Sequence, residues 1–86
     1  MNLNTYKTMG FILGAVYDFC TDNKADIARF RIDISGSSPV IMAVTIEERM
    51  GWTHSFLFSS EDDYRLDCAF DDFRDYAADF LRKRKK

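Results

Sequence analysis

The hydrophobic and polar positions change period twice along the chain, and each change marks a boundary between predicted elements. Apolar side chains recur at the three- and four-residue spacing of a helix over about 5–21, and again over about 61–83. Between these segments the period is two, which is typical of strands with one buried face. The pattern predicts strands at about 27–34, 40–47 and 52–58.

Short polar segments separate the predicted strands. Ser35–Pro39, which contains Gly36, and Glu48–Gly51 both have the composition of tight turns. Strands joined by such turns pair antiparallel. We therefore predict an α+β fold, a two-layer α-β-β-β-α sandwich. In it, a three-stranded antiparallel meander has the N-terminal and C-terminal helices packed on one face.

The start of the second helix is ambiguous. Ser60 followed by Asp63 fits a variant of the capping box, which places the helix start at about residue 61. Tyr64–Phe70 could instead form a fourth strand, with the helix beginning near Asp71. The helical period runs unbroken through Leu66, so we predict the long helix.

Length and composition fit one compact domain. Eighty-six residues with 47% hydrophobic side chains supply a single core, so we predict one domain over 1–86. No segment approaches the roughly 20 apolar residues that span a bilayer. Cys20 and Cys68 suit neither a disulfide scaffold nor a metal site. We predict a cytoplasmic protein without membrane contact, cofactor or metal.

Charge is unevenly distributed along the second helix. Eight of the 14 acidic residues lie between Glu61 and Asp79, and five of the 12 basic residues form the tail Arg82–Lys86. Helical spacing places five aspartates opposite the apolar stripe. This acidic face consists of Asp67, Asp71, Asp72, Asp75 and Asp79. It is either the solvated side of an amphipathic helix or the contact surface for a protein with a basic, nucleic-acid-binding groove.

The second candidate surface is the side of the sheet that the helices leave uncovered. The predicted residues of this open sheet face are Ile27, Arg29, Arg31, Ile41, Thr45 and Leu57. A partly apolar, uncovered sheet face favours a homodimer or another protein contact. The alternative is a small surface that stays in water.

Residues suited to catalysis are scarce. The single histidine, His54, shares a strand face with Trp52 and Phe56, where a histidine is usually packed and hydrogen-bonded. The sequence has no glycine-rich phosphate-binding motif. The carboxylates of an exposed helix face keep ordinary acidity, whereas general acid catalysis needs a desolvated one. We predict that the protein is not an enzyme and assign no catalytic residue.

The predicted order of elements resembles that of the double-stranded RNA-binding domain. That family contacts phosphates with lysines at the start of its second helix, where this chain has Glu61, Asp62 and Asp63. We therefore do not assign the chain to it. Small acidic phage-encoded inhibitors, including anti-CRISPR proteins that imitate DNA, also use short α+β domains with acidic helices, but no residue motif defines them.

Three functional hypotheses remain. The favoured one is a non-enzymatic protein-binding module acting through the acidic face, such as an anti-CRISPR-like inhibitor from a phage or mobile element. The alternative is a nucleic-acid-binding accessory protein that uses Arg29, Arg31 and the basic C-terminal tail. The third is a small enzyme that uses His54. The sequence does not identify the partner.

Overall fold

The computed structural model describes residues 3–84 and has the predicted order of elements. Helix α1 spans Leu3–Asp22, and helix α2 spans Asp63–Arg84. The strands between them are β1 (Ile27–Ser35), β2 (Ile41–Glu48) and β3 (Thr53–Ser59). Because Tyr64–Phe70 is helical, the alternative of a fourth strand is wrong. Over residues 3–84, no helix combines the length and apolar character needed to cross a membrane.

The three strands form one antiparallel sheet in the order β1-β2-β3. Val44 of β2 lies opposite Ile32 of β1 and Phe56 of β3, so inward-facing positions align across the sheet. Gly36 in the first connection and Gly51 in the second have φ angles of 78° and 97°. Residues with a Cβ disfavour such angles, so both turns depend on glycine.

Both helices pack on the same face of the sheet, as predicted, and the core lies between the two layers. Each element contributes buried apolar side chains to a single cluster. The cluster includes Met9, Ile12, Val16 and Cys20 from α1, Ile27, Met42, Val44, Ile46 and Phe58 from the strands, and Leu66, Phe73 and Phe80 from α2. Among residues 3–84, no helix covers the other face of the sheet.

A β-bulge at the start of β1 turns one residue of the predicted open sheet face toward the helices. Ile27 pairs with Glu48 and Arg29 pairs with Glu47, so Ala28 is an extra residue in β1. Ile27 therefore points toward the helices and is only 4% exposed. The prediction that Ile27 belongs to the open sheet face is wrong, because strict two-residue alternation does not hold through a bulge.

The start of α2 also differs from the prediction, because a different side chain caps it. Asp62 Oδ1 accepts the backbone N–H of Tyr64 at 2.9 Å and that of Arg65 at 3.4 Å. The Ser60 hydroxyl instead accepts the backbone N–H of Val40 at 2.8 Å. The predicted Ser60 cap is therefore wrong, and the helix begins at Asp63.

The two helices run parallel, because three strands separate them along the chain. Near their starts, Thr5 Oγ1 donates to Asp63 Oδ1 at 2.8 Å. Toward their ends, the rings of Phe19 and Phe80 have centroids 5.2 Å apart. The C-terminal ends of α1 and α2 consequently lie at the same end of the molecule, beside the β2–β3 turn.

Candidate functional site

The structure places the acidic face on the solvent side of α2. The aspartates Asp67, Asp71, Asp72 and Asp75 are exposed, and Asp79 is half-buried. Leu66 and Phe73, on the other side of the helix, are buried in the core. One helical surface therefore brings all five carboxylates together, at positions fixed by a packed helix.

Internal ion pairs neutralise only part of the acidic face. Asp79 lies 3.0 Å from Arg82 Nη2 and 3.1 Å from Lys83 Nζ, and the hydrogen bond from Lys83 holds its pKa below the ordinary value. Asp71 lies 3.6 Å from Arg74 Nη1. Within residues 5–83, no ion pair involves the remaining members of the face, which are Asp67, Asp72 and Asp75.

The arginines of the open sheet face are paired with carboxylates. Arg29 Nη2 donates to Glu47 Oε1 at 3.1 Å, and Arg31 Nε lies 2.9 Å from Asp33 Oδ2. Leu57 on β3 is 63% exposed. On the middle strand, Ile41 and Thr45 are half-buried. The face thus mixes ion pairs with a small apolar patch, and its role in a homodimer stays a prediction.

A third feature, which the sequence analysis did not predict, lies where the β2–β3 turn meets α2. It is a groove of about 390 Å³, named here the hairpin groove. Its lining includes Asp26, Glu48, Met50, Trp52, His54, Tyr76, Asp79 and Lys83. Met50 and Trp52 both line the groove and are largely exposed, so they form an apolar surface that the rest of the structure leaves uncovered.

Glu48, His54 and Tyr76 form a polar cluster in the hairpin groove. The Tyr76 hydroxyl donates to Glu48 Oε2 at 3.0 Å, and His54 Nε2 lies 2.9 Å from the same oxygen. The His54 and Tyr76 ring centroids are 4.3 Å apart. Burial, assisted by Glu48, raises the pKa of the Tyr76 phenol, so its hydroxyl remains a donor at neutral pH. His54 is thus packed against Tyr76 and paired with Glu48.

The chemistry available to this cluster is limited. A carboxylate can orient a histidine as a general base, and that base then needs a nucleophile or a substrate proton within reach. Among the described residues, no serine, threonine or cysteine lines the hairpin groove. Over the same part of the chain, no group of three or more His, Cys, Asp or Glu side chains is arranged to hold a metal ion. The absence of enzymatic activity stays a prediction.

Strand alternation contained a signal for the hairpin groove. In β2 the inward positions run through Ile46 to Glu48, and in β3 they include His54, which pairs with Ile46. A carboxylate at the inward end of a strand needs hydrogen-bond donors from its neighbours. Tyr76, in the apolar stripe of α2, carries the required hydroxyl.

Comparison with known proteins adds no assignment. The chain matches no protein-family model, no curated protein and no solved structure. The acidic face, the open sheet face and the hairpin groove are therefore the candidate sites from which we infer a function.

Proposed function

We propose that this protein is a small non-enzymatic protein-binding module whose acidic face docks on a basic surface of a partner protein. The observation that carries the proposal is the exposure of Asp67, Asp72 and Asp75 without an ion pair among residues 5–83. Complementary potentials of this kind steer association and select partners. Like charges four residues apart weaken a helix, and a partner's basic surface offsets that cost.

The proposed mechanism is occupation of the partner's surface. Asp67, Asp71 and Asp75 repeat at about 6 Å along the helix axis. At this spacing, arginines and lysines that line the nucleic-acid groove of a docked partner can pair with them. Duplex DNA carries one charge per about 1.7 Å of axis, so the acidic face is a sparser array than DNA. The module would act as an inhibitor of a nucleic-acid-binding protein, such as an anti-CRISPR-like inhibitor from a phage or mobile element.

Direct binding of nucleic acid has weaker support. Arg29 and Arg31 each pair with a carboxylate on the same sheet face. Arg82 and Lys83 of the tail both pair with Asp79. The last two lysines of the predicted basic tail lie outside the described residues. Nucleic acid would have to displace these internal partners, so we keep direct binding as the less favoured alternative.

Capture of partners from a lysate of the native host tests the proposed function. The test variant carries Asp67→Asn, Asp71→Asn and Asp75→Asn. A matched control carries Asp18→Asn, Asp22→Asn and Glu61→Gln, which neutralise three exposed carboxylates elsewhere. We expect wild type and control to retain a protein that duplex DNA displaces, and we expect the acidic-face variant to lose it, because only that variant removes the complementary charge.

Two outcomes of this capture experiment would contradict the proposal. The first is equal retention of the same proteins by all three chains. The second is retention that duplex DNA does not affect. Thermal unfolding followed by circular dichroism confirms that each variant is folded before its captured proteins are compared.

A further inference from the structure

We propose that the hairpin groove binds a cationic side chain of the partner protein, with arginine as the preferred residue. Asp79 belongs both to the acidic face and to the lining of the groove, so the two surfaces are continuous. The inference rests on the proposed function for the partner's identity, because the partner that docks on the acidic face supplies the cation. The binding chemistry of the groove is tested separately.

The first argument is the unused acceptor of Glu48. Its Oε2 atom accepts from Tyr76 and pairs with His54, whereas Oε1 has no hydrogen-bond partner among the described residues. Over the same residues, no buried side-chain nitrogen or oxygen lacks a partner, so Oε1 is open to the groove. The Glu48 side chain is only 18% exposed, and a carboxylate so shielded attracts a cation more strongly than one in open water.

The cations of the groove itself do not neutralise Glu48. Arg49 donates its Nε–H to the Ala25 carbonyl oxygen at 2.9 Å, which holds its guanidinium on the loop before β1. Lys83 pairs with Asp79 at 3.1 Å. His54 Nε2 lies 2.9 Å from Glu48 Oε2, the same oxygen that accepts from Tyr76. Oε1 of Glu48 therefore has no cationic partner among Arg49, His54 and Lys83.

The second argument comes from the parallel helices. Helix α1 ends at Asp22, shortly before Asp26 of the groove lining, and the last turns of α2 contribute Asp79 and Lys83. The C-terminus of a helix carries roughly half a negative charge from its unpaired carbonyl groups. At the end of α2 the side chains of Arg82 and Lys83 offset this charge, whereas the last turn of α1 has no basic residue, so the backbone of α1 adds to the carboxylates of the groove.

The third argument is the aromatic surface around Glu48. Trp52 is 66% exposed at the groove, and Tyr76 and His54 present further rings. A guanidinium stacks on an indole and can also donate to a carboxylate, which an ammonium does less well. A groove of about 390 Å³ accommodates one long side chain. Charge and stacking together favour arginine over other residues.

Fluorescence of Trp52 provides a direct test, because it is the only tryptophan in the chain. The probe is a blocked Gly-Arg-Gly peptide, and the control is the Gly-Gln-Gly peptide, which is neutral. At low salt we expect a saturable change in Trp52 emission with the arginine peptide and none with the glutamine peptide. The absence of a saturable change with arginine, or equal binding of both peptides, would overturn the inference.

Neighbouring glutamates supply matched variants. Glu48→Gln removes the charge in the groove, whereas Glu47→Gln removes one on the opposite face of the same strand. We expect Glu48→Gln to weaken binding of the arginine peptide about tenfold or more, since a charge-assisted hydrogen bond is lost, and Glu47→Gln to change it little. Equal effects of the two variants would overturn the assignment of the site.

A second variant keeps the test decisive if Glu48→Gln does not fold. Trp52 is exposed, so Trp52→Leu preserves the core, and calorimetry replaces fluorescence as the readout. We expect this variant to lose binding of the arginine peptide. Unchanged affinity would remove the aromatic surface from the site and overturn the inference.

The groove inference and the proposed function fail in different ways. The acidic-face variant should still bind the arginine peptide, because Glu48 and Trp52 are unaltered. If wild type captures a DNA-displaceable partner but never binds the peptide, the groove inference is overturned and the proposed function stands. If the peptide binds at Glu48 but no partner depends on the acidic face, the proposed function is overturned instead.

Discussion

Glu47 and Glu48 are neighbours in sequence with opposite surroundings. Glu47 faces the open side of the sheet and pairs with Arg29, an exposed contact that contributes little to stability. Glu48 faces the helices and accepts a hydrogen bond from Tyr76. Because adjacent residues of a strand face opposite sides of the sheet, the two carboxylates have different partners. Residue type alone therefore did not reveal the hairpin groove.

The two cysteines differ in the same way and give a prediction at this scale. Cys20 is 1% exposed and burial raises its pKa to about 11, whereas Cys68 is exposed on α2. Because the thiolate is the reactive form, we expect a thiol reagent at pH 8 to label Cys68 rapidly and Cys20 only after unfolding. Cys68→Ser should remove the fast phase. Equal rates for both thiols would contradict this assignment.

At the scale of the elements, the hydrophobic period predicted the type of each element more accurately than its first residue. The stripe through Leu66 was enough to predict α2. The cap was not predictable from spacing, because Ser60 and Asp62 are both suitable and a contact with Val40 engages Ser60. The bulge at Ala28 was equally hidden, since it depends on pairing with β2.

Removal of the α2 cap should destabilise the domain measurably. Asp62→Ala deletes the acceptor for two backbone N–H groups, and we expect the free energy of unfolding to fall by about 1 kcal/mol. Glu61→Ala, one residue earlier and exposed, is the control and should change it by less than about 0.5 kcal/mol. Urea denaturation measures both. A cost for Glu61→Ala as large as that for Asp62→Ala would show that Asp62 is not the cap.

At the scale of the whole molecule, the acidic face was predictable from the sequence and the hairpin groove was not. The acidic face follows from helical spacing within α2 alone. The hairpin groove combines the β2–β3 turn, the loop before β1 and the last turns of α2. Bringing those segments together requires knowing that α1 and α2 are parallel, which follows only from the complete topology.

The stability of the molecule should depend on pH at the alkaline end. Folding raises the pKa of Tyr76 through burial, so its stabilising contribution is complete below the ordinary phenol pKa of about 10 and decreases above it. Between pH 8 and pH 11 we expect the free energy of unfolding of wild type to fall more than that of Tyr76→Phe. Cys20 contributes a similar loss, beginning near pH 9, in both proteins.

Urea denaturation at several pH values separates these contributions. At pH 8, Tyr76→Phe should cost about 1 kcal/mol, because Glu48 loses a hydrogen bond. As the pH rises, the two proteins should converge in stability. Parallel curves would mean that the Tyr76 phenol does not titrate differently in the folded and unfolded chains.

The contacts of Phe19 with Phe73 and Phe80 also constrain when the protein can fold during its synthesis. Translation produces α1 first and α2 last of the described elements, yet each covers part of the same core. A nascent chain on the ribosome therefore leaves Phe19 of α1 without these ring contacts until Phe80 has emerged. The domain therefore completes its native packing only after α2 has been synthesised.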